Sequence, residues 1–296
     1  MTEFSFAFPR HAPCAVVLGN FDGVHAGHRS LIALGAARAK ERALPLVALT
    51  FLPESLPHPP ALLTDKEERE TLLLAAGVDE VVFLPFPAVC TMSPEDFVRE
   101  VLIARFDAVI TVAGFNYRFG YRAAGDTDTL RSLLVAAGRE AIVADAVLYG
   151  GVPVSSSRIR EALAEGDIDA ARAMLLRPVV WSLPVLHGKA LGRTLGFPTV
   201  NQIPPAGRAL PRRGVWVSEA TVGDVRYLSL TNVGVRPTVE QGGPVDFETW
   251  IKGYSGSLYG EVLPVEFKRF LRGERHFSSM EELKKQIEVD KNAISQ

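Results

Sequence analysis

Cysteine and long apolar runs are scarce in this chain. Its 296 residues include only two cysteines, Cys14 and Cys90. Two cysteines inside apolar runs give neither a disulfide framework nor zinc-ligand spacing, so we expect buried thiols in a reducing compartment. No run approaches the roughly 18 apolar residues of a membrane span, and the first residues lack a signal-peptide pattern. We therefore expect a cytoplasmic protein without a membrane partner.

The chain also lacks an excess of charge of one sign, because its formal net charge is only -2. A chain without a strong field is not expected to bind nucleic acid. The composition, with 47% hydrophobic and 22% charged residues, is typical of a globular protein. The length is sufficient for two hydrophobic cores, so two domains are expected. The oligomeric state is not indicated by the sequence.

Strand-like apolar runs alternate with amphipathic segments as far as about Val154. The runs are CAVVLG, LPLVALTF, DEVVFLPF and DAVITVAG, and the segments between them are predicted to begin at Gly27, Asp65, Ser93 and Asp126. Ser93 precedes a proline and two acidic residues, as is typical of a helix N-terminus. This alternation predicts an α/β fold with a parallel sheet, whose ligands bind beyond the carboxyl ends of the strands.

The pattern changes after Pro178, where short strand-like runs are separated by glycine and proline. Runs such as GVWVSEATV and EVLPVEFKRFL favour a compact antiparallel barrel or sandwich. In the last segment, Leu283, Ile287 and Ile294 lie near one helical face behind a serine cap, which predicts a helix packed on that domain. We predict domains over residues 1–177 and 178–296.

The strongest local pattern is VVLGNFDGVHAGHRSLI, in which an apolar strand ends at Gly19 and His25 and His28 lead into a helix. Backbone N–H groups and the helix dipole favour phosphate at such a junction. Imidazoles there can donate hydrogen bonds to an α-phosphate during in-line attack, and Gly27 lets the backbone approach it. Two polar capping residues on an ordinary loop are the alternative interpretation.

GNFDGVHAGH resembles the HxGH motif of nucleotidyltransferases, in the form found in bacterial bifunctional riboflavin kinase/FAD synthetases. The resemblance implies that His25 and His28 catalyse adenylyl transfer. It also implies an ATP-binding loop made by Gly19, Asn20, Phe21, Asp22 and Gly27. Asp22 could either orient His28 or approach metal-bound water, and the sequence leaves both roles open.

Two later segments resemble the same family. GFNYRFGYRAAGD is similar to its flavin-side loop, which implies that Asn116 and Arg118 contact the flavin. SSSRIR is similar to an element in which hydroxyls cap a helix and an arginine reaches the β- and γ-phosphates of ATP. Ser156 and Ser157 are thus implied to bind phosphate, although they could be caps only. Arg160 is implied to neutralise the pyrophosphate leaving group, since a guanidinium donates in bidentate geometry.

No GxxxxGK[ST] phosphate loop occurs in the chain, yet a second glycine-rich run, HGKALGRTLGFPTVN, could expose N–H groups to phosphates. It resembles the riboflavin kinase signature GxxxGRxxGFPTxN. The phosphate-binding positions implied are Gly188, Gly192, Arg193 and Gly196. Thr199 and Asn201 are implied to hold magnesium, and their oxygens are suitable hard ligands. A hairpin closed by these two residues is the alternative.

Phosphorylation of an alcohol requires a proton acceptor, and a carboxylate is a common one. The run DFETWI is similar to the kinase strand whose glutamate is the base, which implies this role for Glu248. An outward-facing charge on an edge strand is the alternative. Trp250 occupies a position where the family often has His or Tyr, and a larger ring there could weaken riboflavin binding.

The resemblance implies a Rossmann-like nucleotidyltransferase domain with a parallel sheet, followed by a β-barrel riboflavin-kinase-like domain that ends in a helix. It implies phosphorylation of riboflavin to FMN and adenylation of FMN to FAD. ATP is the expected co-substrate, with Mg²⁺ or another hard divalent cation. The alternatives are an FMN adenylyltransferase with an impaired kinase domain, and a non-catalytic flavin or nucleotide sensor.

Overall fold

A computed structural model describes residues 11–187, 197–235 and 245–294. The chain divides into two compact units, Met1–Ser156 and Ser157–Gln296. This division precedes the domain boundary predicted after residue 177, which remains a prediction. Each unit is described by itself below.

The first unit contains a five-stranded parallel sheet with the order β3-β2-β1-β4-β5. Its strands are β1 (Cys14–Leu18), β2 (Leu46–Phe51), β3 (Glu80–Leu84), β4 (Ala108–Gly114) and β5 (Glu140–Ala144). The predicted α/β fold is confirmed. Four strands match the predicted runs. The fifth, β5, has mostly half-buried residues at the sheet edge and therefore shows little of the apolar pattern that marks the others.

Helices connect these strands. They are α1 (Ala26–Glu41), α2 (Lys66–Ala75), α3 (Pro94–Asp96), which continues as a π-helix over Phe97–Ile103, and α4 (Thr127–Ala136). Asp65, Ser93 and Asp126 cap α2, α3 and α4 by accepting backbone hydrogen bonds. The cap predicted at Ser93 is thus confirmed, and the segments predicted to begin at Asp65 and Asp126 also begin there. A short hairpin of β6 (Leu148–Tyr149) and β7 (Val152–Pro153) follows β5.

The two cysteines differ in their surroundings. Cys14 is buried in β1, and its thiol donates to the carbonyl oxygen of Phe106 at 2.9 Å. Burial, with smaller contributions from the nearby Asp107 and Glu80 carboxylates, raises the pKa of Cys14 to about 12. Cys90 is only partly buried, so the prediction that both thiols lie in the core is wrong for Cys90. It lies in the turn after Phe86–Ala88, where the chain runs over the surface.

The second unit begins with α5, which starts at its boundary, and α6, and continues with a six-stranded antiparallel sheet and α7. The helices are α5 (Ser156–Glu165), α6 (Ile168–Leu175) and α7 (Met280–Ala293). The strands are β8 (Val180–Pro184), β9 (Thr199–Gln202), β10 (Gly214–Val222), β11 (Val225–Val235), β12 (Val245–Ile251) and β13 (Val262–Arg272). Their order is β8-β13-β10-β11-β12-β9.

The edge strands β8 and β9 meet, so this sheet is curled. The N–H of Leu186 donates to the carbonyl oxygen of Asn201 at 2.8 Å. The fully buried amide of Gln202 donates to the carbonyl oxygens of Leu183 and Leu263 at 2.7 and 2.8 Å. Closure of the edges satisfies backbone groups that an open sheet would leave unpaired. The antiparallel, barrel-like fold of this half is thus confirmed.

The terminal helix packs on this sheet as predicted. Ser279 caps α7 by accepting from the N–H of Glu282. At the other end, Ile294 packs in an apolar cluster with Val217 and Leu230. The buried Asp290 accepts from Nη2 of Arg272 at 2.6 Å, which ties the helix to β13.

Three buried hydroxyls form a row on the opposite face of the sheet. Thr231 shares hydrogen bonds with Ser218 at 2.8 Å and with Thr249 at 2.9 Å, and all three residues have no exposed surface. A buried hydroxyl that loses its partner carries the full cost of desolvation. Thr231 is therefore the central residue of this row.

We predict that Thr231→Val lowers the free energy of unfolding of the second unit by about 2 kcal/mol, because two buried hydroxyls lose a partner. The three tryptophans, Trp181, Trp216 and Trp250, all lie in this unit, so their fluorescence during urea unfolding reports on it alone. Thr221→Val, on the half-buried end of β10, is the control and should change stability by less than about 0.5 kcal/mol. Equal effects would contradict this account.

Candidate active sites

The first candidate site lies where the parallel sheet reverses its strand order. The chain builds β2 and β3 on one side of β1 and then places β4 and β5 on the other. Loops after β1 and β4 therefore leave the sheet at neighbouring positions, which is the topological switch point where such sheets bind ligands. The loop with His25 and His28 follows β1, and the loop with Asn116 follows β4.

The two histidines contact each other at the start of α1. His25 is the N-cap, and its Nδ1 accepts from the N–H of His28 at 3.4 Å. The rings stack with centroids 3.6 Å apart and planes 14° apart. Because Nδ1 of His25 accepts, the proton of its ring in the neutral form resides on Nε2. Two stacked rings repel when both are protonated, which favours at least one neutral ring.

His28 is held neutral. Burial of its ring lowers its pKa well below the ordinary value, and the nearby His25 and Arg69 lower it further. Its Nδ1 is shielded from solvent and has no hydrogen-bond partner among the described residues. The edge of Phe21 packs against the ring at 5.2 Å between centroids. A neutral imidazole retains one N–H, which can donate to a phosphate oxygen.

Gly27 leaves room for the ring of His25. A Cβ at Gly27 would lie 3.2 Å from Cε1 and 3.3 Å from Nδ1 of His25. A side chain at Gly27 would thus require the His25 ring, which stacks on His28, to shift by a few tenths of an ångström. This steric reason adds to the close backbone approach that the motif predicts.

The side chain of Asp22 points into the protein and is fully buried. It accepts from the N–H groups of Leu63 and Thr64, both at 3.0 Å, and from Nη2 of Arg69 at 3.2 Å. These contacts hold the loop to the segment before α2. The predicted role of Asp22 in ATP binding remains untested, and neither predicted alternative for its carboxylate included this network.

The other predicted residues of the loop differ in exposure. Phe21 is fully buried, and a Cβ at Gly19 would lie 3.0 Å from its ring. Asn20 is exposed, and its carbonyl oxygen accepts from Thr50 and from Arg69, each at 3.0 Å. Phe21 thus packs on the interior side of the loop, while Asn20 lies on the exposed side, where a ligand could bind.

Asn116 and Arg118, the predicted flavin residues, are both exposed in the loop that follows β4. Arg118 lies 3.6 Å from the carboxylate of Asp126, at the cap of α4. Because β4 is next to β1, this loop and the HxGH loop share one edge of the sheet. Their flavin role remains a prediction.

Ser156 connects the predicted SSSRIR element to the same loop. Its hydroxyl donates to the carbonyl oxygen of Asp22 at 2.8 Å. Ser157 is exposed and Arg160 is half-buried, and both belong to the second unit. The predicted phosphate contacts of these three residues remain predictions.

The second candidate site lies on neighbouring strands of the curled sheet. Glu248 on β12 pairs directly with Asn201 on β9, and Trp250 pairs with Thr199. Alternate residues of a strand share a face, so Thr199, Asn201 and Glu248 lie on one face of the sheet. The structure therefore brings together the predicted metal ligands and the predicted base.

The oxygens of this cluster fit a hard divalent cation. A threonine hydroxyl, an asparagine carbonyl and a carboxylate suit Mg²⁺, which takes few protein ligands and retains waters. Asn201 is buried, whereas Thr199 is half-buried and Glu248 is exposed, so solvent can reach the cluster. Within the described ranges, no group of three or more His, Cys, Asp and Glu side chains could hold a metal ion.

Asn232 is a further residue at this site. It pairs with Glu248 from the other side, on β11. A Cβ at Gly234 would lie 3.0 Å from Nδ2 of Asn232 and 3.0 Å from Oε1 of Glu274, so Gly234 leaves space for both side chains. The sequence reasoning did not identify Asn232. An asparagine at a strand position on the same face as Glu248 was the feature of the sequence that indicated it.

Trp250 packs away from open solvent, against the terminal helix. The Nζ of Lys291 lies 5.1 Å from its ring centroid, and the ring joins the apolar cluster of Ile294. The predicted phosphate loop residues Gly188, Gly192, Arg193 and Gly196 lie outside the described residues.

Arg69 and Thr64 were missed by the sequence reasoning. In α2 the buried residues are Arg69 and Leu73, four positions apart on one helical face. A charged residue in line with a buried leucine was the signal for an inward-facing arginine. This signal was missed because Arg69 belongs to the charged run KEER at the start of the helix, which is typical of an exposed surface.

This fold and these sites define a two-domain phosphate-transfer enzyme with an α/β nucleotide-binding half and an antiparallel half. The family model for FAD synthetase matches residues 8–158, and the model for riboflavin kinase matches residues 175–296. The chain belongs to the bifunctional riboflavin kinase/FMN adenylyltransferase family. The resemblance inferred from the motifs is thereby confirmed.

Relatives match over nearly the whole chain. The bifunctional riboflavin kinase/FMN adenylyltransferase of Pseudomonas fluorescens is 34% identical over 95% of this chain and 92% of its own. The protein of the same name from Escherichia coli K12 is 32% identical over 94% of this chain and 90% of its own.

A solved structure described as a macrolide-efflux protein from Streptococcus pneumoniae is 29% identical, with a TM-score of 0.85 over 99% of this chain and 96% of its own.

None of the helices in the described part of the chain is long and apolar enough to cross a membrane.

We predict that Gly27→Ala slows FAD formation from FMN about tenfold or more, because the methyl group displaces the His25 ring by steric contact. Chromatography of the flavin products measures this rate. Gly273→Ala introduces a methyl group with no atom within 4 Å and is the control for the FAD-forming step. An unchanged rate in Gly27→Ala would contradict the steric role.

We predict that the His28 ring titrates below its ordinary pKa of about 6.5. Proton NMR measures this pKa, and the ring signal missing from His28→Gln assigns it. Since the unfolded chain then binds the proton more readily, the first unit loses stability as the pH falls below about 6.5, by up to about 1.4 kcal/mol per pH unit. A pKa at or above the ordinary value would contradict the burial argument.

Proposed function

We propose that this chain makes FAD from riboflavin in two ATP-dependent steps, phosphorylation to FMN and adenylation of FMN, with the residues assigned below. The observation that carries the proposal is the pairing of Glu248 with Asn201, with Thr199 on the same face. This pairing supports the kinase step. That step had been in question because Trp250 occupies a position where the family often has His or Tyr.

In the first step, the 5′-hydroxyl of riboflavin loses its proton to Glu248 and attacks the γ-phosphorus of ATP, and ADP leaves. Glu248 suits this role because it is exposed and pairs with the buried Asn201. A positioned carboxylate base contributes about 10²–10⁴-fold to such a step.

Thr199 and Asn201 would hold Mg²⁺ against the phosphates of ATP. The bound cation supplies charge neutralisation for the transferred phosphoryl group. The three residues on this face of the sheet support the assignment by their oxygen chemistry. The predicted glycine-rich phosphate loop leads directly into β9 along the chain.

In the second step, a phosphate oxygen of FMN attacks the α-phosphorus of ATP and pyrophosphate leaves. The FMN phosphate is already ionised, so no strong base is required. His25 and His28 would donate hydrogen bonds to the α-phosphate as its negative charge grows. Arg160 would compensate the charge of the pyrophosphate.

The adenylyltransferase-only alternative rests in part on the bulk of Trp250. That ring is packed with Leu230 and Ile294 and lies beneath Lys291, so the terminal helix accommodates its size. This packing supports an intact kinase face. A role in efflux, as the name of the Streptococcus pneumoniae structure states for that protein, has no supporting site in the described residues.

We further propose that the catalytic domains are residues 1–177 and 178–296 and that the enzyme works in the cytoplasm. The matched family segments, 8–158 and 175–296, support the domain assignment. The two free thiols, Cys14 and Cys90, suit a reducing compartment.

Two variants separate the two activities. We predict that Glu248→Gln lowers FMN formation from riboflavin about 100-fold or more and leaves FAD formation from supplied FMN unchanged. His28→Ala should do the opposite, with a loss of about 100-fold in the FAD-forming step. Both rates are measured by chromatography of the flavins.

Glu266→Gln is the control for the kinase step, because Glu266 is a carboxylate of the same sheet that pairs with Lys268 at 2.7 Å. It should retain both activities. A Glu248→Gln enzyme that still phosphorylates riboflavin at the normal rate would overturn the assignment of the base.

A further inference from the structure

We propose that Arg69 is a positioning residue for adenylyl transfer, which holds the loop of His25 and His28 in its reactive shape through the buried carboxylate of Asp22. The inference rests on the proposed function. It concerns a buried side chain of α2.

The loop has an unfavourable backbone that requires external support. Phe21 and Val24 have left-handed backbone conformations, with φ of 49° and 39°. Neither is a glycine, and such conformations cost about 1–3 kcal/mol each unless their surroundings enforce them. Both side chains are fully buried. The loop therefore keeps its shape only if strong contacts fix the residues between Phe21 and Val24.

Asp22 lies between these two residues and supplies such contacts. Its Oδ1 accepts from the N–H of Leu63 and from the N–H of Thr64, both at 3.0 Å, and from the Thr64 hydroxyl at 3.3 Å. The Thr64 hydroxyl in turn accepts from the N–H of Gly23 at 3.0 Å. The side chain and backbone of this tight turn are thus fixed to the segment before α2.

Arg69 completes this network from α2. It is fully buried, and its Nη2 donates to Asp22 Oδ1 and to the carbonyl oxygen of Thr64, both at 3.2 Å. Its Nη1 donates to the carbonyl oxygen of Asn20 at 3.0 Å. One planar guanidinium therefore holds two successive parts of the loop in a fixed geometry. Removal of the guanidinium would take away the positive charge that Arg69 places beside the buried Asp22 carboxylate.

The positive charge of Arg69 also acts on the catalytic ring. Burial is the main cause of the lowered pKa of His28, and the neighbouring His25 and Arg69 lower it further. His25 and Arg69 are the titratable neighbours that lower this pKa. Substitution of Arg69 by a neutral residue should raise the pKa of His28 as well as loosen the loop.

The test compares Arg69→Gln with Arg69→Lys, using purified full-length protein, saturating FMN and Mg-ATP. We expect Arg69→Gln to lower kcat for FAD formation about 30-fold or more, because the reacting groups are misplaced. Arg69→Lys should have a kcat about tenfold higher than that of Arg69→Gln, because lysine retains the buried positive charge. The pKa of His28 should rise more in Arg69→Gln than in Arg69→Lys, because only the lysine retains the positive charge.

Two internal controls keep the test specific. The riboflavin kinase rate of the same protein should change by less than about twofold, since that site lies in the other unit. Arg139→Gln removes a different arginine–aspartate pair of the first unit, the 2.7 Å contact with Asp107, and should leave FAD formation unchanged. Equal loss of FAD formation in Arg139→Gln and Arg69→Gln would overturn the proposal.

Thr64→Val provides a milder variant if Arg69→Gln does not fold. It removes only the hydroxyl that links Asp22 to Gly23, and we expect kcat for FAD formation to fall about threefold to tenfold. Normal FAD formation in Thr64→Val, or in folded Arg69→Gln, would overturn the positioning role. A wild-type enzyme that forms no FAD would instead reject the proposed function itself.

Discussion

The buried carboxylate of Asp22 is the constraint on which the nucleotidyl-transfer half depends. A buried charge requires hydrogen bonds and a counter-charge, and Asp22 obtains them from Thr64 and Arg69. The same contacts fix the turn after β1, and this turn positions the stacked rings of His25 and His28. Local backbone strain, side-chain burial and catalytic geometry are thus coupled at one residue.

The kinase half depends on a different constraint, the register of a sheet. Glu248 faces Asn201 because β9 and β12 pair in this register, and a slip by one residue would move Glu248 to the opposite face. Gln202, the neighbour of Asn201, is fully buried and bonds to β8 and β13. The contact that closes the sheet therefore also fixes the register of the proposed metal ligands and base.

Much of this arrangement could be predicted from the sequence. The alternating apolar runs predicted the parallel sheet, the cap at Ser93 predicted a helix start, and the motifs located His28 and Glu248. The contact of Arg69 with Asp22 could not be predicted, because the two residues lie 47 positions apart in the chain. The edge strand β5 was also missed, because edge residues are only half-buried and show weak periodicity.

The most direct test of the central claim, that both steps occur in one chain, is chromatography of the flavins made by the wild-type protein. Riboflavin, ATP and magnesium are supplied in one reaction, and FMN replaces riboflavin in a parallel one. The account predicts that FMN and then FAD form from riboflavin, and that FAD forms directly from FMN. Formation of FAD from FMN but no FMN from riboflavin would contradict the kinase site at Glu248.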